Sequence, residues 1–115
     1  EESQLTKESE GDKELEDEKA KLLLYLQQGV VLGDYAEALH IPERKLSVFI
    51  NSTYGVSFKR WVNNKRVEYA TEQMAKHPDY TMERIAELSG FAHKSHFCKI
   101  FREITGGSFT EYKNR

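Results

Sequence analysis

Disulfide bonds and membrane spans are both excluded by what this chain lacks. It has one cysteine, Cys98, and two prolines among 115 residues. One thiol cannot form an internal disulfide, and it fits a reducing, cytoplasmic setting. Even the longest apolar runs, such as Leu22-Leu23-Leu24, are very short and fall far below the roughly 20 residues that span a bilayer. No basic start precedes an apolar stretch, so we expect neither a signal peptide nor a membrane contact by this segment.

Acidic residues are concentrated at the start of the chain. Residues 1–18 carry nine acids and two bases, a net charge of −7, whereas residues 19–115 carry fifteen bases and ten acids, a net charge of +5. The overall charge of −2 therefore hides a mildly basic remainder. We interpret residues 1–11 as an acidic, disordered leader or linker. Such a segment suggests that the chain is the C-terminal part of a longer protein.

Helical periodicity runs through most of the remaining sequence, and no segment alternates apolar and polar residues for long enough to predict a strand. The predicted fold class is therefore all-α, with about seven helices. Residues that cap or break helices give the expected bounds. The first three predicted helices are 12 to Gly29, a short helix that is capped by Asp34 and ends near Leu39, and a helix with Pro42 in its first turn that ends at Tyr54. The fourth covers 58–77, between Ser57 and Pro78. The last three are a helix opened by Thr81 and broken by Gly90, a helix over 93–105, and a short helix from Ser108.

The chain also resembles itself. Three of the four residues of Gly55-Val56-Ser57-Phe58 recur in Gly106-Gly107-Ser108-Phe109, a shift of 51 positions, and Ala36-Glu37 recurs as Ala86-Glu87 with a shift of 50. The one-residue slip falls in the turn between two predicted helices. Two helices joined by a short turn form the supersecondary unit of many DNA readers. The sequence therefore predicts the same helix-turn-helix unit twice, with a turn one residue longer in the second copy.

The second helix of each predicted unit carries two stripes of residues at helical spacing. The inward stripes are apolar and are expected to pack each unit together; they comprise Leu46, Phe49, Ile50 and Thr53 in the first copy and Phe97, Ile100, Phe101 and Ile104 in the second. The outward stripes contain no acid; they comprise Arg44, Ser47, Val48 and Asn51 in the first copy and Ser95, Cys98, Lys99 and Arg102 in the second. A helix that enters the major groove needs hydrogen-bond donors or small apolar groups, and it must keep carboxylates away from phosphate.

At this point the sequence resembles the AraC/XylS family of bacterial regulators. The second unit matches the family pattern through residues 85–91, Ser95-His96-Phe97, Phe101-Arg102 and Tyr112-Lys113. The first unit matches more loosely, and Arg66 and Ala70 fit the pattern of the family's linker helix. The resemblance covers about residues 12–115. Phe109 stands where the family usually has proline, Lys113 replaces the usual arginine, and Val48 replaces a polar or basic residue.

The resemblance implies two helix-turn-helix subdomains, about 34–54 and 81–105, joined by a long linker helix at about 58–77. Both recognition helices would enter successive major-groove segments of double-stranded DNA, about 34 Å apart. Candidate base-reading residues are Arg44, Ser47, Val48, Asn51, Lys94, Ser95 and Lys99. Candidate phosphate contacts are Lys45, Lys59, Arg60, His93 and Arg102.

Further expectations concern residues and partners outside the predicted DNA-contacting set. Arg66 is expected to form a structural ion pair. RNA polymerase is an expected partner, together with an upstream effector or dimerisation domain of the same protein, and no cofactor is expected.

Two other classes of function, a metal-dependent enzyme and a protein-interaction module, compete with DNA binding. His93 and His96 are three residues apart on a predicted helix near Cys98, but Cys98 lies on a different face, whereas zinc requires three or four converging ligands. No glycine-rich phosphate loop occurs and the Ser, His and Asp residues are scattered, so we expect neither a metal site nor an enzyme. A helical protein-interaction module without DNA binding remains the alternative, because faces without acids also suit an acidic protein partner.

Overall fold

The structure, a computed structural model, describes residues 24–114. Within that range it contains six α-helices and one 3-10 turn, Leu24–Leu26, and it has no strand. The predicted leader and most of the predicted first helix lie outside the described residues, so seven helices were expected and six are described. The α-helices are α1 (Leu32–Leu39), α2 (Glu43–Tyr54), α3 (Phe58–Lys76), α4 (Met82–Leu88), α5 (Lys94–Thr105) and α6 (Phe109–Lys113).

The start of α1 differs from the prediction. Asp34 is the third residue of the helix rather than its cap, and its carboxylate accepts a 2.9 Å hydrogen bond from the backbone N–H of Val31. Aspartate suits both places, because a carboxylate close to a helix N-terminus satisfies unpaired N–H groups and opposes the helix dipole. Pro42 is likewise displaced by one residue, since it precedes α2 instead of lying in its first turn.

The internal repeat extends to the helix ends. Helices α2 and α5 each have 12 residues, and their caps Gly55 and Gly106 adopt the left-handed conformation, with φ of 70° and 84°. Glycine accepts this conformation without a steric penalty, which explains why both helices end there. Ser57 and Ser108 then cap the following helices through the same side-chain hydrogen bond. The two copies therefore share local structure as well as sequence.

Two hydrophobic cores lie along α3, one for each helix-turn-helix unit. Trp61 and Val62 pack into the first core with α1 and α2, whereas Val67 and Ala70 pack into the second with α4, α5 and α6. Phe109, which departs from the family pattern, is buried in this second core. With 19 residues, α3 is about 28 Å long at ~1.5 Å per residue. One continuous helix thus joins two separately packed units.

Most of the inward stripes pack into the two cores as predicted. Leu46 and Ile50 are each 1% exposed, Phe97 and Phe101 are completely buried, and Ile100 is 8% exposed. Phe49 and Ile104 are half-buried and pack against the cores. Thr53, however, is exposed. It lies in the last turn of α2, beyond Ile50, where the aromatic ring of the next residue turns toward Trp61 instead. The prediction that Thr53 faces the core is therefore wrong.

Candidate nucleic-acid interface

Helix α2 presents one continuous face to solvent. Arg44, Ser47, Val48 and Asn51 are all exposed, whereas Leu46 on the opposite side is buried. Val48 is 59% exposed and takes no part in the first core. The burial of α2 on one side therefore leaves the predicted base-reading residues of the first unit together on the other.

Helix α5 presents the matching face of the second unit, but with one residue fewer than predicted. Ser95, Lys99 and Arg102 are exposed. Cys98 is half-buried, and its Sγ lies 3.2 Å from Sδ of Met82, because α4 packs against that side of α5. The prediction that Cys98 belongs to the outward stripe is wrong. Helical spacing alone could not reveal that the neighbouring helix covers this edge.

Lys94, in the first turn of α5, forms an ion pair within its own unit. Its Nζ donates a 3.1 Å hydrogen bond to Oε2 of Glu83 in α4. Hydrogen bonding to its own backbone amide, and then to Lys94, lowers the pKa of the Glu83 carboxyl. Both side chains are more than half exposed, so solvent screens the pair and Lys94 can exchange this partner for another anion.

The predicted phosphate-binding residues lie around the two outward faces, and all of them are exposed. Arg60, at the start of α3, reaches across to the second unit, where its Nη1 lies 3.9 Å from Oε1 of Glu103. His93 immediately precedes α5 and its side chain caps no backbone N–H. The complete set of exposed candidates is Lys45, Lys59, Arg60, His93 and Arg102.

Arg66 is structural, but among residues 24–114 its guanidinium bonds backbone carbonyls and not the carboxylate of the predicted ion pair. Its Nε donates a 2.5 Å hydrogen bond to the carbonyl oxygen of Tyr25, and its Nη2 donates a 2.8 Å bond to that of Gln27. The guanidinium carbon lies 5.5 Å from the ring centroid of Phe91. Burial lowers the pKa of Arg66, and interaction with Tyr35 opposes that effect. Backbone carbonyls thus take the place that we predicted for a carboxylate.

Two features, a cluster of metal ligands and a membrane-crossing helix, are not found in the part of the chain that the structure describes. Among residues 24–114 no three His, Cys, Asp or Glu side chains converge in a way that could hold a metal ion. His96, one of the two histidines near Cys98, instead packs edge-on against Phe91, with the two ring centroids 5.6 Å apart. None of the described helices is long and apolar enough to cross a membrane.

Residues 35–115 match the family model described as a helix-turn-helix domain. The chain belongs to the AraC-type helix-turn-helix family of DNA-binding transcription regulators. It is 32% identical over 79 residues to regulatory protein PocR of Salmonella typhimurium, covering 69% of this chain and 26% of PocR. It is 30% identical over 80 residues to the HTH-type regulator YijO of Escherichia coli, covering 70% and 28%. The chain thus spans about a quarter of the length of these curated relatives.

Solved structures with the same fold include other regulator domains. The C-terminal domain of AraT, a response regulator from Geobacillus stearothermophilus, superposes with a TM-score of 0.75 at 24% identity, covering 88% of this chain and 84% of that one. The DNA-binding domain of the transcriptional factor AdpA, determined with a target DNA, gives 0.72 at 22% identity and covers 87% and 89%. The two helix-turn-helix units on a linker helix are therefore a shared architecture.

Sequence reasoning missed three contacts in and around this surface: Glu83 with Lys94, Glu103 with Arg60, and Arg66 with the N-terminal turn. The repeat gave no signal for the first contact, because the positions that match Glu83 and Lys94 in the first unit hold Gly33 and Glu43, and glycine has no side chain that could form an ion pair. The Arg60–Glu103 contact joins the two units and so lies outside the repeated unit. The Arg66 contacts had no signal either, because backbone carbonyls are present at every residue.

Proposed function

We propose that this domain binds double-stranded DNA sequence-specifically, with α2 and α5 in two successive major-groove segments, and thereby regulates bacterial transcription. The observation that carries the proposal is the pair of exposed, largely acid-free faces on two helices of equal length and matching register. The single helix α3, which is about 28 Å long from its 19 residues at ~1.5 Å each, carries both units. That helix length is comparable with the roughly 34 Å between adjacent turns of the major groove.

Base reading would follow from the side chains on each face. Arg44 and Lys99 are suited to the O6 and N7 acceptors of guanine, Asn51 to the N6 and N7 of adenine, and Val48 to a thymine methyl group. The proposed base-reading set is Arg44, Ser47, Val48 and Asn51 on α2, and Lys94, Ser95 and Lys99 on α5. Lys94 would have to exchange its bond to Glu83 for a bond to DNA.

Phosphate contacts would come from exposed cations and helix ends around the two faces. Lys59 and Arg60 lie in the first turn of α3, where the helix dipole also favours an anion. Lys45, His93 and Arg102 would flank the recognition helices. Such contacts supply much of the affinity without reading sequence, so they predict steep salt dependence.

The test is selection of binding sites from random duplexes, followed by footprinting and a salt titration. We expect a selected site with two conserved blocks about one helical turn apart, and an affinity that falls steeply with salt. Binding with no sequence preference would overturn the specific-reader proposal. An absence of binding to any duplex at low salt would instead favour the alternative, a helical protein-interaction module.

The regulatory role of the complete protein is a further part of the proposal. Because the curated relatives are about four times as long as the matched segment, we infer an upstream domain that binds an effector or mediates dimerisation. RNA polymerase is the proposed partner in transcription. Co-sedimentation of the DNA-bound protein with purified RNA polymerase tests that partner, and polymerase that sediments equally well without the protein on the DNA would count against it.

A further inference from the structure

The N-terminal turn of the described chain is in contact with both helix-turn-helix units. We call residues 24–27 the strap. The Tyr25 side chain of the strap is 9% exposed and belongs to the first core. The carbonyl oxygen of Tyr25 accepts a hydrogen bond from Arg66 of α3, and the backbone of the next residue, Leu26, lies against Gly90 of the second unit. A segment that belongs to one unit by its side chain and to the other by its backbone is placed to fix how the two units sit together.

Gly90 makes the contact between the strap and the second unit. It lies in the turn between α4 and α5 and has a φ of +89°. A Cβ atom at this position would lie 2.7 Å from the carbonyl oxygen of Leu26, 2.9 Å from its carbonyl carbon and 3.0 Å from its Cα. All three are backbone atoms, so no side-chain rotation could relieve the clash. The strap backbone and the turn before α5 therefore approach each other so closely that only glycine fits at this position.

Arg66 makes the second contact, from the middle of α3. It lies between Val62, which packs in the first core, and Val67, which packs in the second. Its guanidinium bonds two strap carbonyls, at 2.5 Å and 2.8 Å, and contacts the ring of Phe91, the residue after Gly90. Strap, linker helix and second turn are thereby joined at one buried charged group. The planar guanidinium suits this task because its donors point in fixed, different directions.

We propose that Arg66 and Gly90, which we call the clasp, are spacing-determining residues. Through their contacts with the strap they fix the position of α5 relative to α2, and so select the distance between the two DNA half-sites that the domain accepts. The inference rests on the proposed two-groove binding. Changing the distance by one base pair moves a half-site by about 3.4 Å and rotates it by about 35° around the duplex axis. Because α3 is continuous, adjustment of this size requires the second unit to shift on α3, and the clasp opposes that shift.

Glycine positions elsewhere in the chain provide a matched control. Gly90→Ala introduces a methyl group against the strap and also a strained left-handed alanine. Gly106→Ala introduces the same strain, at a φ of +84°, in the same unit, but a Cβ there meets nothing within 4 Å. Any difference between the two variants therefore reports the strap contact. Arg66→Lys is the second clasp variant; it keeps a positive charge and a long stem but cannot make the same two directed bonds.

The experiment measures affinity for duplexes in which the two selected half-sites are separated by the selected spacing, and by one or two base pairs more or fewer. For the unmodified domain we expect about a tenfold loss for each base pair away from the optimum, the size of a typical mismatch. Gly90→Ala and Arg66→Lys should reduce that loss to about threefold or less, while affinity for one isolated half-site stays within about twofold. Gly106→Ala should keep the steep dependence.

Each outcome distinguishes the clasp from the proposed function. If the clasp variants are folded by circular dichroism and keep the steep spacing dependence, the clasp proposal is overturned and two-groove binding stands. If the unmodified domain itself shows no dependence on spacing and protects only one groove segment, two-groove binding fails and the clasp proposal fails with it. If Gly90→Ala does not fold, Arg66→Lys decides the question alone.

Discussion

Lys94 and Glu83 are hydrogen-bonded at 3.1 Å across the two helices of the second unit, and the same place in the first unit holds different chemistry. There the matching residues are Glu43 and Gly33, and a Cβ on Gly33 would lie 3.0 Å from Oε2 of Glu43. The first residue of α5 is therefore a cation, whereas the first residue of α2 is an anion. Under the proposed two-groove binding, this difference makes the two units unequal, and the second is expected to attract phosphate more strongly.

Removal of the ion pair should change the pKa of the Glu83 carboxyl. Its pKa is lowered first by its own amide and then by Lys94. In Lys94→Ala the pKa should therefore rise, but it should stay below its ordinary value because the amide bond remains. Carboxyl carbon chemical shifts followed by NMR during an acid titration measure this. An unchanged midpoint in the variant would show that the ion pair does not form in solution.

The sign of the pH dependence follows from the direction of that shift. Because the pKa is lower in the folded than in the unfolded protein, the contribution of Glu83 to stability is present at neutral pH. It is lost as the pH falls through the folded pKa. Lys94→Ala should remove part of this dependence.

Arg66→Met should destabilise the domain strongly. The substitution keeps an apolar stem but leaves the carbonyls of Tyr25 and Gln27 without their donors, at a cost of about 2–4 kcal/mol in the free energy of unfolding. Urea denaturation checks the value. Arg60→Met is the control, because the exposed Arg60–Glu103 contact should contribute less than about 0.5 kcal/mol. Equal losses in the two variants would argue against a special role for Arg66.

Val48→Ala should change recognition without changing stability. Val48 is 59% exposed, so truncating it removes little buried area, and the free energy of unfolding should change by less than about 0.5 kcal/mol. If its side chain contacts a thymine methyl group, the variant should lose preference at one base pair in the first half-site. Competition binding with single-base substitutions measures this, and an unaltered preference at every position would place Val48 outside the interface.

Lys59→Ala should weaken binding to all duplexes alike. A phosphate contact carries no sequence information, so the slope of log affinity against log salt should become shallower by about one. Glu72→Ala serves as a control for a charge change on α3, since Glu72 is exposed and lies about three helical turns beyond Arg60, the last proposed contact on that helix. A loss for Lys59→Ala confined to one base pair would instead indicate base reading.

Much of the helical architecture could be predicted because its signals are local. Ser57 and Pro78 bracket α3, and Gly55 ends α2, since capping and chain termination depend on nearby residues. Asp34 was misplaced because a carboxylate is equally suited to the cap and to the first turn. The burial of Cys98 depends on how α4 packs, which helical spacing along α5 does not record.

The contacts of Arg66 were hardest to predict. Tyr25 and Gln27 lie about forty residues away in sequence, and their carbonyl oxygens are common to every residue. The local sequence predicted that Gly90 breaks a helix, but its close approach to Leu26 exists only in the folded chain. The predicted base readers and phosphate contacts are exposed, as helical spacing indicated, and their contacts with DNA stay predictions.

The most direct test of two-groove recognition is methylation interference on the selected site with Arg44→Ala and Lys99→Ala. The account predicts two clusters of interfering guanines about one helical turn apart. Arg44→Ala should abolish one cluster and Lys99→Ala the other, each with a loss of about 1–3 kcal/mol in binding free energy. If both substitutions altered the same few base pairs, the two helices would not occupy separate groove segments, and the account would be contradicted.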